Sequence, residues 1–158
     1  MTAKKTTIKT MVFFKKWLNS FLAMSGRNLV DLKPANLTNL HPVPDTFKPR
    51  IRVAERITYC TAKAINKLHN EPKKPYQDII IYYYLDELSY YETQKKIGYK
   101  SSQYFILKRM ALAEFTEYFN SFAEQEGIAS IIELVDWFSL LKIAPSNNYK
   151  FSKNLGFY

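Results

Sequence analysis

Residues 89–119 constrain the fold of this chain most strongly, because they carry the start and stop signals of two consecutive helices. Ser89 is followed three residues later by Glu92, and in this pairing each side chain bonds the free backbone amide of the other at a helix start. Gly98 readily adopts the left-handed conformation of a tight turn. The pattern predicts a short helix over residues 89–97, a turn at Gly98 and a second, longer helix.

The second helix has a side that we expect to be buried. Ser101 or Ser102 is the expected cap at its start. The apolar residues at helical spacing that form the buried stripe are Tyr104, Leu107, Ala111, Phe115 and Tyr118. Together with helical patterns elsewhere in the chain, this predicts an all-α fold of about six helices.

A short helix, a turn with glycine and a second helix form the helix-turn-helix pattern, in which the second helix lies in the major groove of duplex DNA. Gln103 is suited to pairing with adenine, and Arg109 to bonding guanine or a phosphate. Phe105 and Ile106 are suited to contact with a thymine methyl group. The predicted base-contacting residues, which lie near the helix start and away from the buried stripe, are Ser101, Ser102, Gln103, Phe105, Ile106 and Arg109.

The distribution of charge favours a polyanionic partner for this region. The net charge is +9, and residues 93–113 contain no Asp or Glu. We predict that Lys95, Lys96, Lys100 and Lys108 contact DNA phosphates, which positions a protein on a duplex without specifying a sequence. A plain helical hairpin with solvated lysines is the alternative interpretation.

The block from residue 76 to 119, YQDIIIYYYLDELSYYETQKKIGYKSSQYFILKRMALAEFTEYF, resembles the ArpU-type autolysin regulators and related late-gene activators of phages of Gram-positive bacteria. Members of that family share a sigma-region-4-like helix-turn-helix with a Gly-Tyr-Ser turn and an Ala-Leu-x-x-Phe ending. The matching residues are Gly98, Tyr99, Ala111, Leu112 and Phe115. Lys100 departs from this pattern, because the family has a capping Ser there. The resemblance implies a phage or prophage transcription activator of packaging or lysis genes in the bacterial cytoplasm.

Two other classes of function remain open at this stage. One is an adaptor that contacts RNA polymerase, or another phage or host protein, through the same helical face. The other is an accessory subunit of a nucleic-acid-processing enzyme. No phosphate loop, metal-ligand cluster or nucleophile motif stands out, so we expect no enzymatic activity, no cofactor and no metal.

The cysteine and histidine content limits the remaining chemistry. The single cysteine, Cys60, forms no internal disulfide, and with only His41 and His69 in the chain no zinc site of four Cys or His ligands can be assembled. This content is typical of an intracellular protein. We expect Cys60 to be a small buried hydrophobe, and neither histidine has an obvious acid or base partner in the sequence.

The chain divides into three segments by pattern. Residues 1–49 contain a basic, amphipathic first helix that ends at Gly26, followed by a proline-rich linker over residues 32–48. The helix either packs only on the core or also contacts phosphate or a partner, and the linker either separates segments or wraps over a single core. Lys4, Lys5 and Lys9 are candidates for a phosphate-contacting arm. Lys15 and Lys16 interrupt the apolar run, so we expect no membrane span.

Residues 50–125 form the predicted DNA-binding core. A helix is expected from Arg50 to near Asn70, and a buried helix rather than a strand over residues 76–88. The tyrosines here are either core residues with one polar tip or a stacking surface for single strands.

Residues 126–158 are predicted to form an apolar helix followed by a tail. This helix would cover either the first helix or the partner in a homodimer, since two-fold dimers commonly bind two DNA half-sites.

Overall fold

The computed structural model describes residues 5–40 and 48–136. This part of the chain is mostly helical, with one small two-stranded sheet, so the expected all-α fold of about six helices is confirmed. Its α-helices are α1 (Thr10–Val12), α2 (Leu18–Ser25), α3 (Pro49–Lys67), α4 (Tyr76–Ile80), α5 (Tyr90–Ile97) and α6 (Ser101–Gln125). The other elements are two π-helical segments (Phe13–Trp17 and Ile81–Leu85), two 3-10 helices (Leu29–Leu32 and Pro34–Asn39) and the strands β1 (Thr6–Lys9) and β2 (Ile132–Val135).

The two ends of helix α6 have different surroundings. In its second half, Phe115 and Phe119 are fully buried. Their rings lie 4.7 Å from the ring of Phe14 and 5.5 Å from that of Phe13, respectively. Among the first ten residues of α6, only Tyr104 is buried. The core therefore holds one end of α6, and the other end is presented at the surface.

The first helix forms as predicted from Thr10 onward, through α1, the first π-helical segment and α2. It ends at Gly26, whose positive φ of 69° closes the turn. Phe13, Phe14, Leu18 and Leu22 are buried and thereby attach this helix to the core. Ile8 has the apolar spacing expected of a residue of this helix but belongs to β1.

The proline-rich segment contains only the two short 3-10 helices in its described part, which agrees with the exclusion of a long helix. Leu32 is fully buried and Leu40 is 4% exposed. Since Leu32 and Leu40 belong to the same core cluster as Phe14, Ile65 and Ile132, the segment wraps over a core to which all three sequence segments contribute.

Helix α3 buries the predicted face, including Ala54, Ile57, Ala64 and Ile65. It ends at Lys67, three residues before the expected end near Asn70. Cys60 is fully buried, as expected, and this burial raises the pKa of its thiol to about 12. Cys60 is therefore a protonated, packed side chain at neutral pH.

A buried ion pair joins the end of α2 to α3, and no sequence pattern predicts it. The Glu55 side chain is fully inaccessible to solvent, and Arg27 Nη2 lies 2.6 Å from Glu55 Oε2. Arg27 follows the Gly26 turn, so the conformation of that turn directs the guanidinium toward α3. Burying a carboxylate is tolerated only when a partner compensates for its lost hydration.

Residues 76–85 are helical rather than extended, as predicted, and consist of α4 and the second π-helical segment. Tyr76, Ile79, Ile80 and Tyr84 are buried. The Tyr84 ring stacks on Phe14 with 4.4 Å between centroids. Tyr76 and Tyr84 are therefore core residues, and Tyr83 is partly buried against the same core, which favours the packing interpretation of the tyrosine run.

The predicted C-terminal helix is wrong for the part that the structure describes. Gly127 adopts a φ of 76°, and β2 then pairs in parallel with β1, with Thr6 opposite Ile132. On the other side of β2, the Asn120 side chain donates to the carbonyl of Leu134 and accepts from its amide, at 2.7 and 2.9 Å. An apolar run suits a short buried strand as well as a helix, and here β1 pairs with one edge of β2 while Asn120 bonds the other edge at Leu134.

Several predictions fall on other parts of the chain. The remainder of the predicted apolar helix from residue 137, the tail, His41 and Lys4 lie outside the described residues. Of the proposed basic arm, Lys9 is exposed within β1, and Lys5 Nζ lies 3.5 Å from Glu133 Oε1.

Candidate nucleic-acid interface

Helix α5 begins with the predicted reciprocal cap. The Ser89 hydroxyl accepts from the Glu92 amide, and the Glu92 carboxylate accepts from the Ser89 amide, each at 3.1 Å. The bonds from the Ser89 amide and hydroxyl favour the ionised form and lower the pKa of Glu92. The helix ends at Gly98, whose φ is 84°. The predicted start and end of the first helix of the motif are both confirmed.

The expected serine cap of α6 is wrong. The cap position is Lys100, which makes no side-chain cap bond, and Ser101 is the first helical residue. The Ser101 hydroxyl instead forms a 2.8 Å hydrogen bond with the Tyr90 hydroxyl of α5. Because Tyr90 engages Ser101 across the turn, the start of α6 is fixed by its neighbouring helix.

Aromatic packing fixes the angle between α5 and α6. Tyr104 is fully buried beside the equally buried Thr93 of α5. The Tyr90 ring meets Tyr104 edge-on at 5.1 Å and lies 4.8 Å from the ring of Phe105. Burial raises the pKa of Tyr104, which keeps its hydroxyl protonated. The two helices therefore form one rigid hairpin.

The turn between the helices is also attached to the loop between α3 and α4. The Tyr99 hydroxyl donates to the carbonyl of Pro72 at 2.5 Å. A second attachment joins the start of this loop to α6, because Glu114 accepts from the His69 amide at 3.1 Å and lies 2.6 Å from His69 Nδ1. The sequence showed no obvious partner for His69, and the fold supplies one in Glu114. His69 and Glu114 are 45 positions apart in the sequence, so no local pattern predicts this pair.

The structure presents most of the predicted base-contacting residues to solvent. Ser102, Phe105 and Arg109 share one exposed side of α6, as their spacing of three and four residues requires. Ser101 and Gln103 are exposed at the borders of that side, whereas Ile106 is half-buried. Phe105 is 51% exposed, and Tyr91 of α5 is 67% exposed. The surface is therefore both polar and aromatic.

Three of the four predicted phosphate-contacting lysines lie in the last turn of α5 or at the cap position of α6. Lys95, Lys96 and Lys100 are exposed. Lys95 Nζ lies 5.9 Å from the Tyr91 ring centroid, and Lys96 Nζ lies 4.9 Å from that of Tyr82. These ammonium groups remain accessible to an anionic partner.

Lys108 has a different environment from the other three lysines. It is half-buried, with its Nζ 3.8 Å from the ring centroid of Tyr83. Burial, and then the positive charge of Lys15, lower the pKa of Lys108 to about 8. Lys108 is therefore more easily deprotonated than a solvated lysine.

The acidic residues that flank the exposed surface are engaged elsewhere. Glu92 is held by the reciprocal cap at the start of α5, and Glu114 is held by His69. No carboxylate side chain lies between them in the sequence. The start of α6 and the end of α5 therefore present positive charge without an intervening acid.

No helix in residues 5–40 and 48–136 is long and apolar enough to cross a membrane. Within these same ranges, no three His, Cys, Asp or Glu side chains are grouped as a metal site would require.

Comparison with known proteins adds no further assignment. No family model, curated protein or solved structure matches the chain. The resemblance of residues 76–119 to ArpU-type regulators therefore stays a prediction.

Proposed function

We propose that α5, the Gly98 turn and the start of α6 form a helix-turn-helix that binds duplex DNA in a sequence-specific way. The observation that carries this proposal is the surface at the start of α6. It presents exposed polar and aromatic side chains on one side of a helix whose other side is fixed to the core. This is what a recognition helix requires, because its first turns must enter the major groove without losing their orientation.

The residues at this surface have distinct proposed roles. Gln103 offers an amide that matches the donor and acceptor of adenine, and Arg109 offers a fork of donors that matches guanine. Phe105 supplies an apolar face for a thymine methyl group. Lys95, Lys96 and Lys100 attract phosphates and increase the rate of encounter with DNA. Ser101 and Ser102 add hydroxyls at the helix start, while the partial burial of Ile106 limits its contribution.

The wider role that we propose is regulation of transcription, and the resemblance to ArpU-type regulators supports activation of phage or prophage late genes. Binding to two half-sites as a homodimer belongs to the same proposal. The basic net charge of the chain agrees with a nucleic-acid partner.

One observation favours a second candidate function, an adaptor that binds RNA polymerase or another protein. Tyr91, Phe105 and Met110 are 67%, 51% and 41% exposed, respectively. Aromatic and methionine side chains are enriched in protein interfaces. Under this alternative, the same surface would bind protein in preference to DNA.

A selection experiment followed by affinity measurements tests the DNA proposal. Duplexes containing a random central segment would be selected on the full chain, and the affinity for the enriched duplex measured by fluorescence anisotropy. We expect one enriched sequence, and we expect Gln103→Ala and Arg109→Ala each to weaken its binding by roughly 1 to 3 kcal/mol. Their affinity for an unrelated duplex should change much less.

Matched controls distinguish a lost base contact from a general effect of substitution. Gln125→Ala changes an exposed glutamine at the other end of α6, and Arg50→Ala changes an exposed arginine at the start of α3. Both should bind like the wild type. Equal affinity of the Gln103 and Arg109 variants for the enriched duplex would refute recognition through α6, and no enrichment at all would favour the adaptor.

A further inference from the structure

Lys15 of the first helix and Lys108 of α6 are distant in the sequence, but both lie near the ring pair formed by Phe14 and Tyr84. Lys15 lies in the π-helical segment Phe13–Trp17, and its charge acts on Lys108 of α6 strongly enough to affect ionisation there. The stacked rings of Phe14 and Tyr84, 4.4 Å apart, hold the two π-helical segments together. Lys15 directly follows Phe14, and Lys108 Nζ lies 5.7 Å from the Tyr84 centroid, so this ring pair brings the two lysines to the same part of the molecule.

The Lys108 ammonium group has aromatic neighbours, and in the described part of the chain neither lysine has an acidic partner. The Lys108 Nζ lies 3.8 Å from the Tyr83 centroid and 5.7 Å from that of Tyr84. Across residues 5–40 and 48–136, neither lysine forms an ion pair with a carboxylate. Placing like charges together while one of them is half-buried is unfavourable, and such an arrangement is typical of sites that receive an opposite charge from a ligand.

The position of the pair indicates which anion it would receive. Lys108 is adjacent to Arg109 in sequence and three residues from Phe105, so it borders the exposed surface of α6. Lysine side chains are common phosphate ligands because they act as compact positive charges. A phosphate held here would belong to the strand of DNA beside the base-contacting side chains.

We propose that Lys15 and Lys108 together bind one phosphate group, supplied by the DNA backbone, and so extend the DNA-binding surface to the first helix. This inference rests on the proposed DNA-binding function. It assigns a role to Lys15 that the helix-turn-helix pattern does not include. Inorganic phosphate offers the same chemistry, and the experiment below separates the two sources.

The salt dependence of DNA binding tests whether the two lysines share a phosphate. The slope of log affinity against log salt falls by about 0.9 for each phosphate contact removed, which corresponds to about a fivefold loss of affinity at 0.15 M salt. We expect Lys15→Gln, Lys108→Gln and the double variant each to lose about this amount, because all three disrupt the same contact. Lys16→Gln is the matched control, since Lys16 is exposed in the same π-helical segment, and should leave the slope unchanged.

Each alternative result has a defined meaning. A double variant that loses twice the slope of the single variants would show two separate phosphates, and unchanged slopes in all three would show none; either result overturns the proposal. Thermal melts of every variant would establish that the fold is retained, and Lys108→Arg, which keeps the charge, should retain the slope.

A titration with inorganic phosphate separates this inference from the DNA proposal. The Cε and Nζ NMR signals of Lys15 and Lys108 should shift together in the full chain, with the Lys16 signals unaffected. If both signals shift but no duplex binds, the site takes free phosphate and the DNA source is refuted. If a duplex binds while the lysine variants behave like the wild type, DNA binding stands without this site.

The pH dependence of DNA binding should change with Lys108. The groups facing it are Lys15 on the first helix and Tyr83 and Tyr84 on the second π-helical segment, with Asp136 acting on Tyr84. The pKa of Lys108 is about 8 in the free protein, and a bound phosphate would raise it, so binding takes up a proton above pH 8. Affinity should therefore be level below pH 7 and fall by up to about fivefold by pH 9.5, the same loss that we expect when substitution removes the charge of Lys108. Lys108→Arg should abolish this fall, and an identical fall in that variant would contradict the assignment.

Discussion

Replacement of Arg27 by methionine should lower the free energy of unfolding by about 3 to 5 kcal/mol, because it leaves the fully buried Glu55 carboxylate without its 2.6 Å partner. Methionine retains much of the apolar stem of arginine, so the loss reports mainly on the charge. Urea denaturation followed by circular dichroism gives the value. Since the pair joins the end of α2 to α3, the variant should also expose the first helix to proteolysis before the rest of the chain.

The exposed ion pair between Lys33 and Asp86 is the matched control. Its Nζ–Oδ1 distance is also 2.6 Å, but its side chains are 33% and 28% exposed. Partial hydration reduces the value of such a pair, and Lys33→Met should cost no more than about 1 kcal/mol. Similar losses in the Arg27 and Lys33 variants would mean that burial does not determine the strength of these pairs.

Truncation of Phe115 to alanine should also cost about 3 to 5 kcal/mol, through the cavity it leaves in the core. Phe115 is fully buried and lies between the rings of Phe14 and Phe119, at centroid distances of 4.7 and 6.0 Å. Loss of this contact loosens α6 from the first helix. The same contact supports the exposed surface at the start of α6 and the position of Lys15. Chemical denaturation measures the loss, and DNA binding should weaken in proportion to the unfolded fraction.

Phe105→Ala on the same helix is the companion variant, and it should give the opposite result. Phe105 is 51% exposed, so its removal should change the free energy of unfolding by about 0.5 kcal/mol or less, while it weakens binding to the selected duplex. A large loss of stability in this variant would show that its contact with Tyr90 is structural. Comparison of the two phenylalanines thus separates the supporting half of α6 from its binding half.

The boundaries of α5 were predictable because their signals are local. Ser89 and Glu92 satisfy each other within one turn, and Gly98 needs no distant partner to adopt a positive φ. The buried stripe of α6 was predictable for a related reason, since helical periodicity alone places Tyr104 and Phe115 on the inner side. The same periodicity identified most residues of the exposed surface.

Features that depend on distant residues could not be read from the sequence. The Tyr90 hydroxyl bonds Ser101 across the turn and leaves Lys100 at the cap position. The apolar run after Gly127 forms a strand because β1 and the Asn120 side chain meet its backbone. Lys15 lies far in sequence from the helix-turn-helix, and only the folded chain brings it near Lys108, through the stacked rings of Phe14 and Tyr84.

The pairing of β1 with β2 has a consequence for the order of folding. It brings together the two ends of the described chain, and closing so long a loop costs more entropy than forming the local contacts between α5 and α6. We therefore expect the helical hairpin to assemble first and the N-terminal strand to dock last. Lys15 follows β1 closely in the sequence, so the proposed phosphate site would be complete only after that final step. Tight binding of DNA would then indicate that the N-terminal strand has docked.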